Sequence, residues 1–133
     1  MIYELPENFH TGHLEIKQKN VCLVHQSIWR SAEGKIFIEK VLAAAKLEAN
    51  KNMDLLEIDD ELYLPIRELP KFVENLILFG ISSKCLGMQT MDRYNHCYQF
   101  QNKHILFANH PNTYLDTNAK RELWQALLSM PLI

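Results

Sequence analysis

Val21-Cys22-Leu23-Val24 is an unbroken apolar run, and the polar stretch His25-Gln26-Ser27 follows it directly. A run without polar alternation marks a strand buried on both faces, as in parallel sheets. Ser31 then offers a helix N-cap, with Glu33 in the first turn beside the positive end of the helix. Ile38, Leu42, Ala45 and Ala49 recur at helical spacing, and Phe37 and Val41 widen the stripe. The spacing predicts an amphipathic helix of about four turns, closed by Asn50-Lys51-Asn52. A strand feeding a helix in this way is half of a βαβ unit.

Outward from this stretch the pattern repeats. Leu55-Leu56-Glu57-Ile58 and Leu76-Ile77-Leu78-Phe79 read as further short strands. Between them, Pro65 and Pro70 bracket Ile66-Arg67-Glu68-Leu69, which predicts a loop with one short helical piece. Ser82-Ser83-Lys84-Cys85-Leu86-Gly87 reads as a helical turn closed by a C-cap glycine. Cys97 to Gln101 and His104 to Ala108 flank Asn102-Lys103 as a hairpin. A final helix is expected from Asn112 or Thr113, with a stripe of Leu115, Ala119, Leu123, Trp124, Leu127 and Leu128, stopped by Pro131. The predicted class is α/β: a three-layer α/β/α domain around a short, mainly parallel central sheet of about four strands. Residues 1–20 read as a flexible N-terminal arm, and residues 21–133 as one domain. The arm spaces Ile2, Tyr3, Leu5, Phe9 and Leu14 among polar residues, a pattern suited to a segment that orders on a partner.

Composition narrows the function. The chain has 133 residues, 47% hydrophobic and 23% charged, with a net charge of −2. One globular domain is implied. Neither a basic excess nor a basic stripe is present, so nucleic-acid contact is expected to be weak or indirect. No apolar run approaches the roughly 18–20 residues that cross a bilayer, and no membrane partner is expected. Met1-Ile2-Tyr3-Glu4-Leu5-Pro6 lacks the layout of a signal peptide. The three cysteines, Cys22, Cys85 and Cys97, read as core thiols in a reducing, cytoplasmic setting. No metal and no cofactor is expected. His10 and His13 lack a matching carboxylate, and Asp59-Asp60-Glu61 reads as a solvated acidic loop.

In parallel α/β sheets, ligands sit at the carboxyl ends of the strands. Those ends here are His25-Gln26-Ser27, Gly80-Ile81-Ser82 and Asn109-His110-Pro111. The candidate binding residues are therefore His25, Gln26, Gly80, Ser82, Asn109 and His110. A histidine on this rim is chemically able to stabilise negative charge on a leaving group. Cleavage of a glycosidic bond also calls for a carboxylate. The first-strand loop, Val24 to Arg30, contains none.

Leu78-Phe79-Gly80-Ile81-Ser82-Ser83-Lys84-Cys85-Leu86-Gly87 resembles the strand–glycine–helix segment of the uracil-DNA glycosylase superfamily. Ala108-Asn109-His110-Pro111-Asn112-Thr113-Tyr114-Leu115 and Lys120-Arg121-Glu122-Leu123-Trp124 resemble its histidine–proline loop and final helix. Glu33-Gly34-Lys35-Ile36-Phe37 is a weaker match. The resemblance implies a glycosylase-like fold. It also implies a role for His110 facing a flipped base, and so an alternative reading as a divergent uracil-DNA glycosylase of base-excision repair. The acid-bearing first loop of that superfamily is replaced here by His25-Gln26-Ser27-Ile28-Trp29, and the serine after histidine–proline is Asn112. Asn95-His96-Cys97-Tyr98 and Asn118 to Gln125 are similar to the psi subunit family of the bacterial DNA polymerase III clamp loader. That resemblance implies a non-catalytic adaptor. Its arm would meet clamp-loader subunits, and its domain would meet a chi-like subunit or single-strand binding protein.

Overall fold

A computed structural model describes residues 16–49, 51–59, 63–87, 94–100 and 102–132. Strands β1 (Asn20–His25), β2 (Asp54–Ile58), β3 (Asn75–Phe79), β4 (Cys97–Phe100) and β5 (Lys103–Ala108) form one sheet in the order β2-β1-β3-β5-β4. The first four in that order are parallel, and β4 pairs antiparallel with β5 at the edge. The sheet thus has five strands rather than about four, because the hairpin contributes both of its arms. Asn102 turns that hairpin with φ of +66°, a conformation that asparagine tolerates better than most residues.

Successive residues of the apolar strands face opposite sides. Cys22, Val24, Ile77, Phe79, Leu106 and Ala108 enter one core, and Val21, Leu23, Leu76, Leu78, Ile105 and Phe107 enter the other. The first core is covered by helices α2 (Ala32–Ala44) and α3 (Thr117–Leu128). The second is covered by Leu64, Ile66, Leu69, Val73, Ile81 and Leu86, from irregular chain and the 3₁₀ turns Ile66–Glu68 and Ser83–Leu86. The expected helical layer on both faces is therefore corrected. Among the described residues both longer helices lie on one face, because only the β1-to-β2 connection has a long helical stripe.

Local signals explain the helix limits. Ser31 caps α2, its Oγ accepting from the Gly34 amide at 3.3 Å. The helix ends at Ala44, and Lys46 turns the chain back with φ of +64°, so Ala49 is not in the buried stripe. Asp116 caps α3 by accepting from the Ala119 amide at 2.7 Å. That places the start after the expected Asn112 or Thr113 and leaves Leu115 84% exposed. A four-residue helix, α1 (Gln26–Trp29), forms in the first-strand loop.

The amino ends of the strands carry a buried amide pair. Asn75 Nδ2 donates to Asn20 Oδ1 at 2.7 Å and to the Pro131 carbonyl at 3.0 Å. Asn20 Nδ2 donates to the carbonyls of Leu132 at 2.8 Å and Asn52 at 3.0 Å. Asp54 Oδ2 accepts from the amides of Lys17 and Gln18, both at 2.7 Å. Residues 17–20 of the expected arm are thus joined to the domain. Ile2, Tyr3, Leu5 and Phe9, like His10, His13, Asp60 and Glu61, lie outside the described residues.

Replacing Asn20 with alanine strips partners from Leu132, Asn52 and Asn75 at a site closed to water. We expect a loss of about 2–4 kcal/mol, read as a lower urea midpoint with unchanged slope.

Candidate functional site

The strand order places the ends of β1, β3 and β5 side by side. The structure therefore brings His25, Gly80, Ser82, Asn109 and His110 to one rim, with Gln26 as the first residue of α1. Each is engaged locally. His25 caps α1: its Nδ1 accepts from the Ser27 amide at 3.1 Å and lies 2.8 Å from Ser27 Oγ. Ser82 Oγ caps the turn Ser83–Leu86 by accepting from the Lys84 amide at 3.2 Å. The Gly80 amide donates to the Ala108 carbonyl at 3.1 Å. The His110 amide donates to Asn109 Oδ1 at 2.8 Å, and the His110 carbonyl accepts from Thr113 Oγ1 at 2.8 Å.

Ile28 occupies the space beside the ends of β1 and β3. It is fully buried, and two glycines press against it. A methyl group on Gly34 would lie 2.4 Å from the Ile28 carbonyl oxygen. One on Gly80 would lie 2.5 Å from Ile28 Cδ1. Gly80 also has φ of +70°, where a side chain is strained. Packing and backbone conformation thus account for both glycines. Trp29 is half-buried beneath the Lys35 ammonium, 5.2 Å from its ring, and Tyr94 is exposed.

Two carboxylate and thiol features set the chemistry. Glu57, in register with Val24 near the end of β1, accepts from Arg30 Nε at 2.8 Å. Burial pushes the thiols of Cys22, Cys85 and Cys97 upward, which keeps them protonated near neutrality. Among the described residues no group of three histidine, cysteine or acidic side chains is placed to hold a metal ion.

Tyr114 is the rim residue that sequence reasoning did not single out. It is buried and stacks on Phe37, with ring centroids 5.4 Å apart. Its hydroxyl accepts from the Asn109 amide at 2.8 Å and donates to Asn95 Oδ1 at 2.5 Å. Burial pushes its pKa up to about 12, against the lowering effect of the hydrogen bonds from Asn109 and to Asn95. The phenol is therefore a neutral clasp between the β5 loop and the start of β4. Gly34 was the available clue to Ile28, because glycine inside a helix costs about 1 kcal/mol relative to alanine unless close contact demands it.

A second feature lies on the helical face. α2 and α3 leave an apolar groove of about 500 Å³ whose walls include Ile36, Phe37, Val41, Leu123, Trp124 and Leu127. Glu33, Lys40 and Lys120 stand along it. It adjoins a hollow of about 400 Å³ that shares Ala44, Trp124 and Leu127 and adds Lys46 and Leu128. Ile36 and Leu128 are 53% and 65% exposed.

The rim and the groove, on a five-stranded and mostly parallel α/β sheet, define the chain as a mixed α/β protein. No known protein family, no curated protein and no solved structure matches it.

Tyr114→Phe keeps the stack on Phe37 and removes both hydrogen bonds. We expect a loss of about 1–2 kcal/mol near neutral pH. The raised pKa makes the wild-type contribution whole below about pH 10 and lost as pH climbs toward about 12. Urea melts at mildly and strongly alkaline pH should show the gap between wild type and variant closing over that window.

Proposed function

We propose that this protein is a non-catalytic adaptor of the bacterial replication machinery, similar to the clamp-loader psi subunit. The filling of the strand-end rim by Ile28 carries the reading. Ligand chemistry in parallel α/β folds uses the crevice outside the strand ends, and here that space between β1 and β3 holds a buried aliphatic side chain wedged against Gly34 and Gly80. The engagement of Glu57 by Arg30 supports it further, since a glycosylase would need a carboxylate to stabilise a developing cation. The spaced apolar residues Ile2, Tyr3, Leu5 and Phe9 supply the contact with clamp-loader subunits. The domain contacts a chi-like subunit or single-strand binding protein. The net charge of −2 accords with weak or indirect contact with nucleic acid.

Purified clamp-loader subunits should retain the full chain in a pull-down. Substituting Tyr3 and Phe9 with serine should weaken retention at least about tenfold, the scale of lost anchor residues. Absence of retention by the intact chain would sink the adaptor reading. A parallel incubation with uracil-containing single-stranded oligonucleotides should yield no abasic sites. Cleavage that disappears in His110→Ala would replace the adaptor with a base-excision glycosylase.

A further inference from the structure

We infer that the groove between α2 and α3 is a docking site for an amphipathic helix of a partner protein whose flanks are acidic. The inference stands on the groove alone, and its failure would leave the replication reading untouched. The two helices run side by side in the same direction. Glu33 and Ile36 of α2 share the upper groove with Lys120 and Leu123 of α3, and Ala44 shares the lower hollow with Leu127 and Leu128. A helix of 13 residues such as α2 is about 20 Å long, so the groove matches three to four turns of an incoming helix, the geometry of helix-in-groove recognition.

Each helix carries an exposed apolar residue beyond its inward face, Ile36 on α2 and Leu128 on α3. Ile38 and Leu42 are spent on the sheet, whereas Ile36, at 53% exposure, stands on the groove and the half-buried Val41 lines its wall. An exposed apolar strip rimmed by charge is the usual mark of a protein-binding surface. The rim charge selects the occupant. Lys40 stands on the α2 bank, Lys120 on the α3 bank and Lys46 at the lower end, against Glu33 alone. Three lysines against one glutamate make this strip locally basic on a chain of net charge −2. A second copy offering the same face would set lysines against lysines, which disfavours self-association. A helix with apolar anchors and carboxylates on both flanks satisfies the floor and the two banks together.

Two labelled synthetic helical peptides of about fourteen residues, with the same leucine stripe and either glutamate or lysine flanks, test this by anisotropy on the full chain. The glutamate peptide should bind at least about tenfold tighter, and the preference should shrink as salt rises. The double variant Lys40→Glu with Lys120→Glu should reverse the preference, and Ile36→Glu should abolish binding of both peptides. All three positions are exposed, and circular dichroism checks that the variants remain folded. Equal affinity, no binding of either peptide, or an unchanged preference in the double variant would overturn the proposal. A dimer in sedimentation that Ile36→Glu dissolves would replace the partner with a second copy. Binding that appears only after residues 1–15 are removed would assign the groove to this chain's own amino-terminal segment.

Discussion

The contact of Ile28 with Gly34 and Gly80 organises the carboxyl-end rim of the sheet. Ile28 stands in α1, directly after β1, an interior strand of the sheet. Its carbonyl accepts from the Ser31 amide at 3.1 Å, which sets up the cap of α2. Its side chain fills the space beside Gly80. Burying such a side chain contributes about 2–3 kcal/mol. The glycine in the first turn of α2 forfeits roughly 1 kcal/mol of helix preference. Burial wins, and it does so only because neither neighbour has a Cβ. One aliphatic residue thereby sets where α2 crosses the sheet and closes the place where such sheets usually hold ligands.

The two faces of the sheet are held differently. On the helical face, Phe37 of α2 stacks on Tyr114 of the loop before α3, and the Tyr114 hydroxyl ties two loops together. On the other face the cover is irregular chain, whose backbone groups are paired by turn bonds and by side chains rather than by a regular ladder. Lys103 supplies partners: its Nζ donates to the carbonyls of Val73 at 2.7 Å and Pro70 at 3.1 Å. Burial lowers its pKa, and the nearby Glu74 opposes that effect. The Leu64 amide donates to the Cys85 carbonyl at 2.7 Å and pins the far end of the same cover. Apolar burial alone would leave this segment free to slide, and these bonds choose its path.

The apolar strands were readable because their signal is local. Val21 to Val24, Leu76 to Phe79 and His104 to Ala108 need no distant residue to be recognised, and the caps at Ser31 and Gly87 are equally self-contained. The sharing of one face by α2 and α3 was not readable, because it depends on which strand each helix follows in the final order. Ile28 was missed for a related reason. It sits in a polar loop with no periodic neighbours, and its burial is decided by two glycines, one six residues on and the other in a different strand connection. Asn20 and Asn75 look like ordinary polar boundaries of strands. Only their adjacency in register, and the return of residues 131–132 to them, makes them interior. Of the rim, the positions of His25, Gly80 and His110 followed from the strand pattern, whereas the packing of Ile28 beside Gly80 did not.

The bond from Asn20 to the Leu132 carbonyl spans 112 residues of chain. It joins the first residue of β1 to the residues just beyond α3. Contacts of such long sequence separation form late and slow the folding of the unit that contains them. Before residues 131–132 return to the sheet, the Asn20 amide keeps the Asn52 carbonyl as its one protein acceptor and Asn75 lacks the Pro131 carbonyl. Up to that moment β1 and β3 can pair, but the amino end of the sheet stays open to water. The two ends of the described chain are thus tied to each other through one buried amide pair, and a chain stopped before residue 131 lacks two of the four bonds that this pair makes.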